Sequence, residues 1–298
     1  MKRLSIVLGL LMLSGIAIAD VAEKTVKLPG GLGKGVLFMD EDLDRTTAGV
    51  IVVHEWWGLN DYARNRARLL AEEGYVALAV DMYGDGQVAS HPKDAKAFME
   101  QALSEPEKLT ARFNAAKTIL RDQQYVDDER IFAVGYCFGG GVVLEQARKG
   151  NDLAGVASFH GTLGTNQRAG EGDIDARVLV ATGQADPMVP ADQVSALVEE
   201  LTQAGAQFQL LSFPGVQHGF TNPKADETGK RFELPLGRRA PIKRTPLPQN
   251  DPATPRLRAP ALTKQHLGHP GIGFAVSKSG IEWPVLPSRL DNLLSMDR

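Results

Sequence analysis

The stretch Ile131-Phe132-Ala133-Val134-Gly135-Tyr136-Cys137-Phe138-Gly139-Gly140-Gly141 constrains this chain more than any other. Its first half is apolar and reads as a strand, and Val142-Val143-Leu144-Glu145-Gln146-Ala147 after it reads as a helix. Between them sits Cys137, the only cysteine in the sequence. Gly-x-Cys-x-Gly between strand and helix has the form of a nucleophile elbow with a thiol in place of a hydroxyl. Glycine neighbours let strand and helix approach closely around a strained turn. The free N–H groups that open the helix point toward Cys137 and favour thiolate over thiol. An inert, buried cysteine in a glycine turn is the bland alternative.

The rest of the chain alternates strands with helices. Lys24–Leu28 and Lys34–Met39, separated by Pro29-Gly30-Gly31, read as a hairpin or edge pair. Ala48–Val53 is an unbroken apolar strand, the kind covered on both faces in a parallel sheet. Asn60 can cap a helix that carries Tyr62, Ala67, Leu69 and Leu70 and stops at Gly74. Tyr75–Val80 is the next strand, followed by helical patterns around Ala95–Leu103 and Leu109–Leu120. Beyond the Cys137 unit come strands at Gly155–Phe159 and Arg177–Ala181, a helix with Val194, Leu197 and Leu201, and a strand at Phe208–Phe213. This is an α/β pattern, a mostly parallel sheet with helices on both faces. Ligand sites in such sheets lie beyond the C-terminal strand ends. The polar residues there are His54-Glu55, Asp81, Cys137, His160, Asp186 and His218.

Cys137, Asp186 and His218 occur in the order nucleophile, acid, histidine, each after a separate strand, as in α/β-hydrolase arrangements. In that reading His218 takes the thiol proton and later gives it to the leaving alkoxide, while Asp186 fixes the ring's tautomer. Taken singly, Asp186 before Pro187 could be a plain turn residue and His218 a surface loop residue. The N–H groups of Trp56 and Phe138 are the expected oxyanion donors. Glu55 faces the thiol and could hold or accept its proton; pairing with Arg64 is the structural alternative. Trp56, Trp57 and Tyr83 are expected around the substrate pocket, with core packing as the alternative for the tryptophans. His54 and His160 read as structural hydrogen-bonding groups. The histidines form no H-x-x-x-H or H-E-x-x-H pattern, so no metal site is expected.

The two ends differ from the middle. Lys2-Arg3, an apolar run from Leu4 to Leu13 and Ala17-Ile18-Ala19 form a three-part secretory signal, with cleavage before Asp20. An exported, periplasmic protein is expected, with no stable membrane insertion after cleavage; a retained N-terminal anchor is the alternative. A lone thiol in an oxidising compartment has a chemical liability, which favours its having a use. The net charge of −3 gives no footprint for nucleic acid.

The sequence resembles the dienelactone hydrolase (carboxymethylenebutenolidase) family of the α/β-hydrolase fold over about Gly35 to Ala225. The resemblance rests on His54-Glu55-Trp56-Trp57-Gly58, Asp81-Met82-Tyr83-Gly84, Gly135-Tyr136-Cys137-Phe138-Gly139-Gly140, Gly183-Gln184-Ala185-Asp186-Pro187 and His218-Gly219-Phe220. It implies a Cys137–His218–Asp186 triad, an activating Glu55, and cofactor-free hydrolysis of an ester or lactone through an acyl-thiol intermediate, here in a monomer acting on a small molecule. A catalytically weak or inactive ligand-binding member is the rival, as is a thioesterase or peptidase on the same scaffold. The family places substrate-carboxylate arginines after the Asp-x-Tyr segment and after the histidine. Here those places hold Asp85 or its neighbours and Asn222, which favours a neutral ester or lactone. The family also continues with a long C-terminal helix. This chain carries instead, from Leu236 onward, nine of its 17 prolines and ten Lys or Arg against four Asp or Glu. Residues 1–19 are thus read as signal, 20–235 as the hydrolase domain and 236–298 as a Pro-rich basic tail. The tail is expected to be disordered or the product of a shifted frame, with a surface-binding tail as the alternative.

Overall fold

A computed structural model of the chain describes residues 20–237. The expected signal (1–19) lies outside the described residues, as does the tail from residue 238.

The elements are β1 (Val21–Lys27), β2 (Lys34–Asp40), β3 (Thr47–Val53), α1 (Asp61–Glu72), β4 (Val76–Val80), α2 (Pro92–Leu103), α3 (Pro106–Arg121), β5 (Val126–Tyr136), α4 (Phe138–Arg148), β6 (Gly155–Phe159), β7 (Arg177–Gly183), α5 (Ala191–Gln203), β8 (Phe208–Phe213) and α6 (Ala225–Phe232). The strands form one sheet in the order β1-β2-β4-β3-β5-β6-β7-β8. β1 pairs antiparallel with β2, and β2 antiparallel with β4. From β4 to β8 every pairing is parallel. This mixed, mostly parallel sheet with helices on both faces is an α/β-hydrolase-like fold. The expected edge hairpin and the parallel centre are both present. Among the described residues no helix is long and apolar enough to cross a membrane.

The continuous apolar runs follow from burial on both faces. All seven residues of β3 and all five of β4 are buried. Successive side chains alternate, so Ile51, Val53 and Leu78 join Phe113 and Leu120 of α3, Val143 of α4 and Leu197 of α5 in one layer. Val50, Val52, Ala77 and Ala79 join Ala67, Leu70 and Ala71 of α1 in the other. A large apolar side chain fully buried in these layers contributes about 1.5–3 kcal/mol. Asn60 caps α1 by accepting from the Ala63 N–H at 3.2 Å. On the opposite face Arg148 at the end of α4 makes a forked pair with Glu200 of α5 at 2.8 and 3.0 Å, both side chains buried. That pair fixes the helix whose first turn opens at Cys137.

The hydrolase boundary expected at residue 235 falls slightly short. Leu236 forms a bridge with His218, and the Gly237 N–H donates to the His218 carbonyl at 3.0 Å. Both residues belong to the folded body.

The close approach of β5 and α4 rests on glycines without Cβ. A Cβ on Gly135 would lie 2.0 Å from the Gly139 carbonyl oxygen, and one on Gly139 would lie 2.4 Å from the Val53 carbonyl oxygen. Both obstacles are backbone and cannot rotate away. Gly135→Ala is therefore expected to destabilise the protein by about 3 kcal/mol or more, the upper end of overpacking costs. Urea unfolding of the full chain measures this, and a loss under 1 kcal/mol would contradict the close packing.

Candidate active site

Because β4, β3, β5, β6, β7 and β8 run parallel, the residues leaving their C-terminal ends collect on one edge. Glu55, Asp81, Cys137, His160, Asp186 and His218 all lie there, as the sequence order requires.

Cys137 is half-buried and has φ 54°, ψ −115°, a region costly for any residue with a Cβ. The surrounding backbone holds it there. Its N–H donates to the Phe159 carbonyl at 3.0 Å, and its own carbonyl accepts from the N–H groups of Gly140 and Gly141 at 3.0 and 3.3 Å. The Gly139 N–H is taken by the His54 carbonyl at 3.1 Å. Among the described residues no turn or loop hydrogen bond uses the N–H groups of Trp56 and Phe138. These are the two donors expected for an oxyanion.

Asp186 and His218 meet across the loops that follow β7 and β8. The His218 Nδ1–Asp186 Oδ2 distance is 2.8 Å, and both residues are buried. Asp186 Oδ1 accepts from the Met188 N–H at 2.8 Å, so a loop turn fixes the carboxylate that orients the ring. Burial alone would keep His218 neutral. The Cys137 sulfur and the Asp186 carboxylate outweigh it and push the His218 pKa up to about 10. Nε2 is buried, and His218 lines the same small cavity as Cys137. The Asp186–His218 half of the expected arrangement is a formed hydrogen bond.

Glu55 is buried, and its carboxylate accepts from the Asn222 Nδ2–H at 2.8 Å. Burial raises its pKa; the bond from Asn222 and the charges of His218 and Arg66 oppose that rise. The alternative pairing with Arg64 is not what forms, because Arg64 contacts Glu23 of β1. The sequence showed only that Asn222 is not an arginine; its bond to Glu55, 167 positions away, has no local signal.

The neighbouring residues support the loops. The Met82 N–H donates to His54 Nε2 at 3.2 Å, and a backbone N–H can only donate. His54 therefore carries its proton on Nδ1 and donates it to the Glu55 carbonyl at 2.6 Å. Asp81 accepts from the N–H groups of Tyr83 and Gly86 at 3.0 and 2.7 Å, which shapes the loop after β4. Tyr83, expected on the pocket wall, does not line the cavity over Cys137. It is buried behind it, donating its hydroxyl to the Trp56 carbonyl at 2.8 Å and packing on His54 and Phe138.

The cavity over Cys137 is lined by Glu55, Trp56, Trp57, His218, Asn222 and Leu236 among others, and has a volume of about 20 Å³. That is room for roughly one water. A larger cavity of about 410 Å³ lies against α1 and shares Trp57, Asn222 and Thr228 with the first, but does not reach Cys137. Admitting a substrate to the sulfur requires the side chains over Cys137 to move.

Three comparisons agree on what this arrangement is similar to. The pattern of the dienelactone hydrolase family matches residues 34–235. The solved structure of m3DLH superposes with a TM-score of 0.67 at 34% identity, over 73% of this chain and 90% of that one. A dienelactone hydrolase-like promiscuous phosphotriesterase from metagenomic libraries superposes with a TM-score of 0.65 at 30% identity, over 73% of this chain and 99% of that one. Protein usf of Aquifex pyrophilus is 29% identical over 184 residues, 60% of this chain and 79% of that protein.

Glu55 gives a test of the site's cost. Glu55→Gln keeps an oxygen for Asn222 and removes a charge that burial disfavours. A raised carboxyl pKa in the folded state binds protons that the unfolded state has released, so it costs stability above the ordinary value of 4.5. The variant is expected to unfold about 2–4 °C higher at pH 7–8, the scale of one modest change in a domain this size. Calorimetry should show the difference vanishing as pH falls below 4.5, where the carboxyl is neutral in both states.

Proposed function

This chain belongs to the dienelactone hydrolase family, and we propose that it cleaves a carboxylic ester or lactone through an acyl-thioester on Cys137. Hydrolase chemistry follows from the family; the cysteine route is the reading the site's groups support best. The single observation that carries it is the buried Asp186–His218 hydrogen bond, whose ring lines the same cavity as the Cys137 sulfur.

The steps use groups already in position. The Cys137 sulfur attacks the carbonyl carbon and the C=O electron pair moves onto oxygen, where the Trp56 and Phe138 N–H groups receive it. Collapse of this intermediate breaks the C–O bond, and the leaving oxygen takes the proton from His218 Nε2. Water then attacks the thioester, giving its proton to the now neutral ring. The sulfur leaves, the carboxylic acid departs, and the ring and sulfur regain their starting state. Asp186 stays ionised and fixes the proton of Nδ1. Glu55 lines the same cavity and holds Asn222; the steps above move no proton through it. A neutral substrate fits because Asn222, in the place of a family arginine, offers an amide already engaged with Glu55. Export through the Met1–Ala19 signal is part of this proposal.

One observation favours a rival reading, a ligand-binding member that does not turn over: the cavity over Cys137 holds only about 20 Å³. A panel separates the two. It contains p-nitrophenyl acetate, a γ-lactone, a thioester and a phosphotriester, the last because of the similar promiscuous phosphotriesterase. Cys137→Ala is expected to lose about 10³-fold or more in kcat/KM with its fold retained, and intact mass should show an acyl adduct on the parent. Undiminished turnover after complete alkylation of Cys137 would falsify the cysteine route. Tight reversible binding with neither turnover nor adduct would favour the rival.

A further inference from the structure

The residues after His218 are anchored more heavily than a loop carrying one catalytic ring requires. His218 and Thr221 lie between β8 and α6, in a segment with Gly219 at φ 72°. Thr221 is fully buried, and its hydroxyl meets two groups from distant elements. Tyr62 Oη of α1 lies 2.7 Å from it, and His160 Nε2, after β6, also 2.7 Å. The Thr221 carbonyl accepts from the Arg66 guanidinium of α1. The Arg66 guanidinium in turn lies over the Tyr62 ring at 5.0 Å and the Tyr136 ring at 5.5 Å. Three side chains, two from α1 and one after β6, thus converge on one hydroxyl and one carbonyl three positions beyond His218.

His160 connects this cluster to the site. Its backbone is held at φ 41°, where a residue with a Cβ is strained, and its N–H donates to the Ala181 carbonyl at 2.8 Å. Strain of this kind persists only where the surroundings over-determine it, and it clusters at functional sites. The His160 ring meets the His218 ring edge-on at 5.2 Å between centroids. His160 Nδ1 is buried without a partner, so a second proton on this ring would be stranded. Burial first, then the charges of His218 and Arg66, hold its pKa well below the usual value. A neutral ring beside His218 adds shape without repelling the imidazolium. The charged groups that face His218 are then Asp186 after β7, Cys137 after β5 and Glu55 after β3, with Arg66 of α1 facing Glu55 and His160.

We propose that Thr221, held by Tyr62 and His160, is a positioning group that fixes the His218 ring against Cys137. The hydroxyl sets where the loop turns, and the His160 ring sets the wall the His218 ring leans on. None of the three touches the reacting atoms. The inference rests on the Cys137–His218 pairing proposed above.

The test reads the pairing without needing a substrate. Cys137 is the only cysteine, so the rate of iodoacetamide alkylation of the full chain reports that sulfur alone. In the parent protein the paired sulfur should react faster at pH 6.5 than the same sulfur in His218→Ala. Thr221→Val keeps the shape and removes the hydroxyl; it should slow alkylation at pH 6.5 about tenfold and move the pH profile toward that of His218→Ala. Thr221→Ser should restore the parent rate to within about twofold. Tyr62→Phe, which deletes one hydroxyl from a half-buried ring, should shift the profile in the same direction and covers the case in which Thr221→Val does not fold. An unchanged profile in Thr221→Val and Tyr62→Phe overturns the positioning role while leaving the pairing intact. A folded Thr221→Ser as slow as Thr221→Val overturns it too, since packing rather than the hydroxyl would then matter. A parent rate no faster than that of His218→Ala overturns the pairing itself and this inference with it.

Discussion

The hydrogen bond between Asp186 and His218 is the interaction on which the rest of the site depends. It joins loops from two adjacent parallel strands, β7 and β8, and uses up the ring nitrogen that would otherwise leave the imidazole free to rotate. Once Nδ1 is committed, Nε2 has one place to act, the space beside Cys137. The carboxylate also changes what the ring can hold, since a buried imidazole with no anion nearby loses its proton readily. Here the anionic neighbours reverse that tendency. The sheet delivers this economically: parallel strands send all their following loops to one edge, and the order of residues in the chain becomes an order in space.

The same edge concentrates costs. Cys137 and His160 both have positive φ, Glu55 is buried with a raised pKa, and His160 Nδ1 is buried without a hydrogen-bond partner. None of these features stabilises a fold. They are tolerated because β3 and β4 lie wholly inside two apolar layers, and because backbone hydrogen bonds clamp each strained position individually. The proposed site lies where the structure is least relaxed, which is the expected relation between an active edge and a rigid sheet.

What could be read from the sequence follows a physical division. Strands such as Val50–Val53 and the elbow at Cys137 were legible because they are written in consecutive residues: an apolar run, or glycines forced by a close approach. The sites of Asp186 and His218 were legible because parallel topology converts strand-end positions into neighbours. Pairings between distant residues left no local trace. Asn222 bonding Glu55, Thr221 meeting His160 and Tyr62, and Arg66 reaching the Thr221 carbonyl each span more than 60 positions, and each side chain taken singly has an ordinary loop or helix role. Tyr83 shows the opposite failure, since a strand-end aromatic suggested a pocket wall and the ring instead turned inward to brace the Trp56 carbonyl. Leu236, placed by composition in the tail, pairs with His218 because two residues of backbone geometry outweigh a compositional trend.

The central claim is that His218 owes its charge to the sulfur beside it, and a ¹⁵N NMR titration of its ring tests this most directly. In the parent chain His218 should stay protonated through neutral pH and titrate near 10. In Cys137→Ala, with Asp186 still bonded, the value should fall toward the ordinary 6.5. A ring that titrates near 6.5 in the parent, or whose titration is indifferent to loss of the sulfur, would contradict the account.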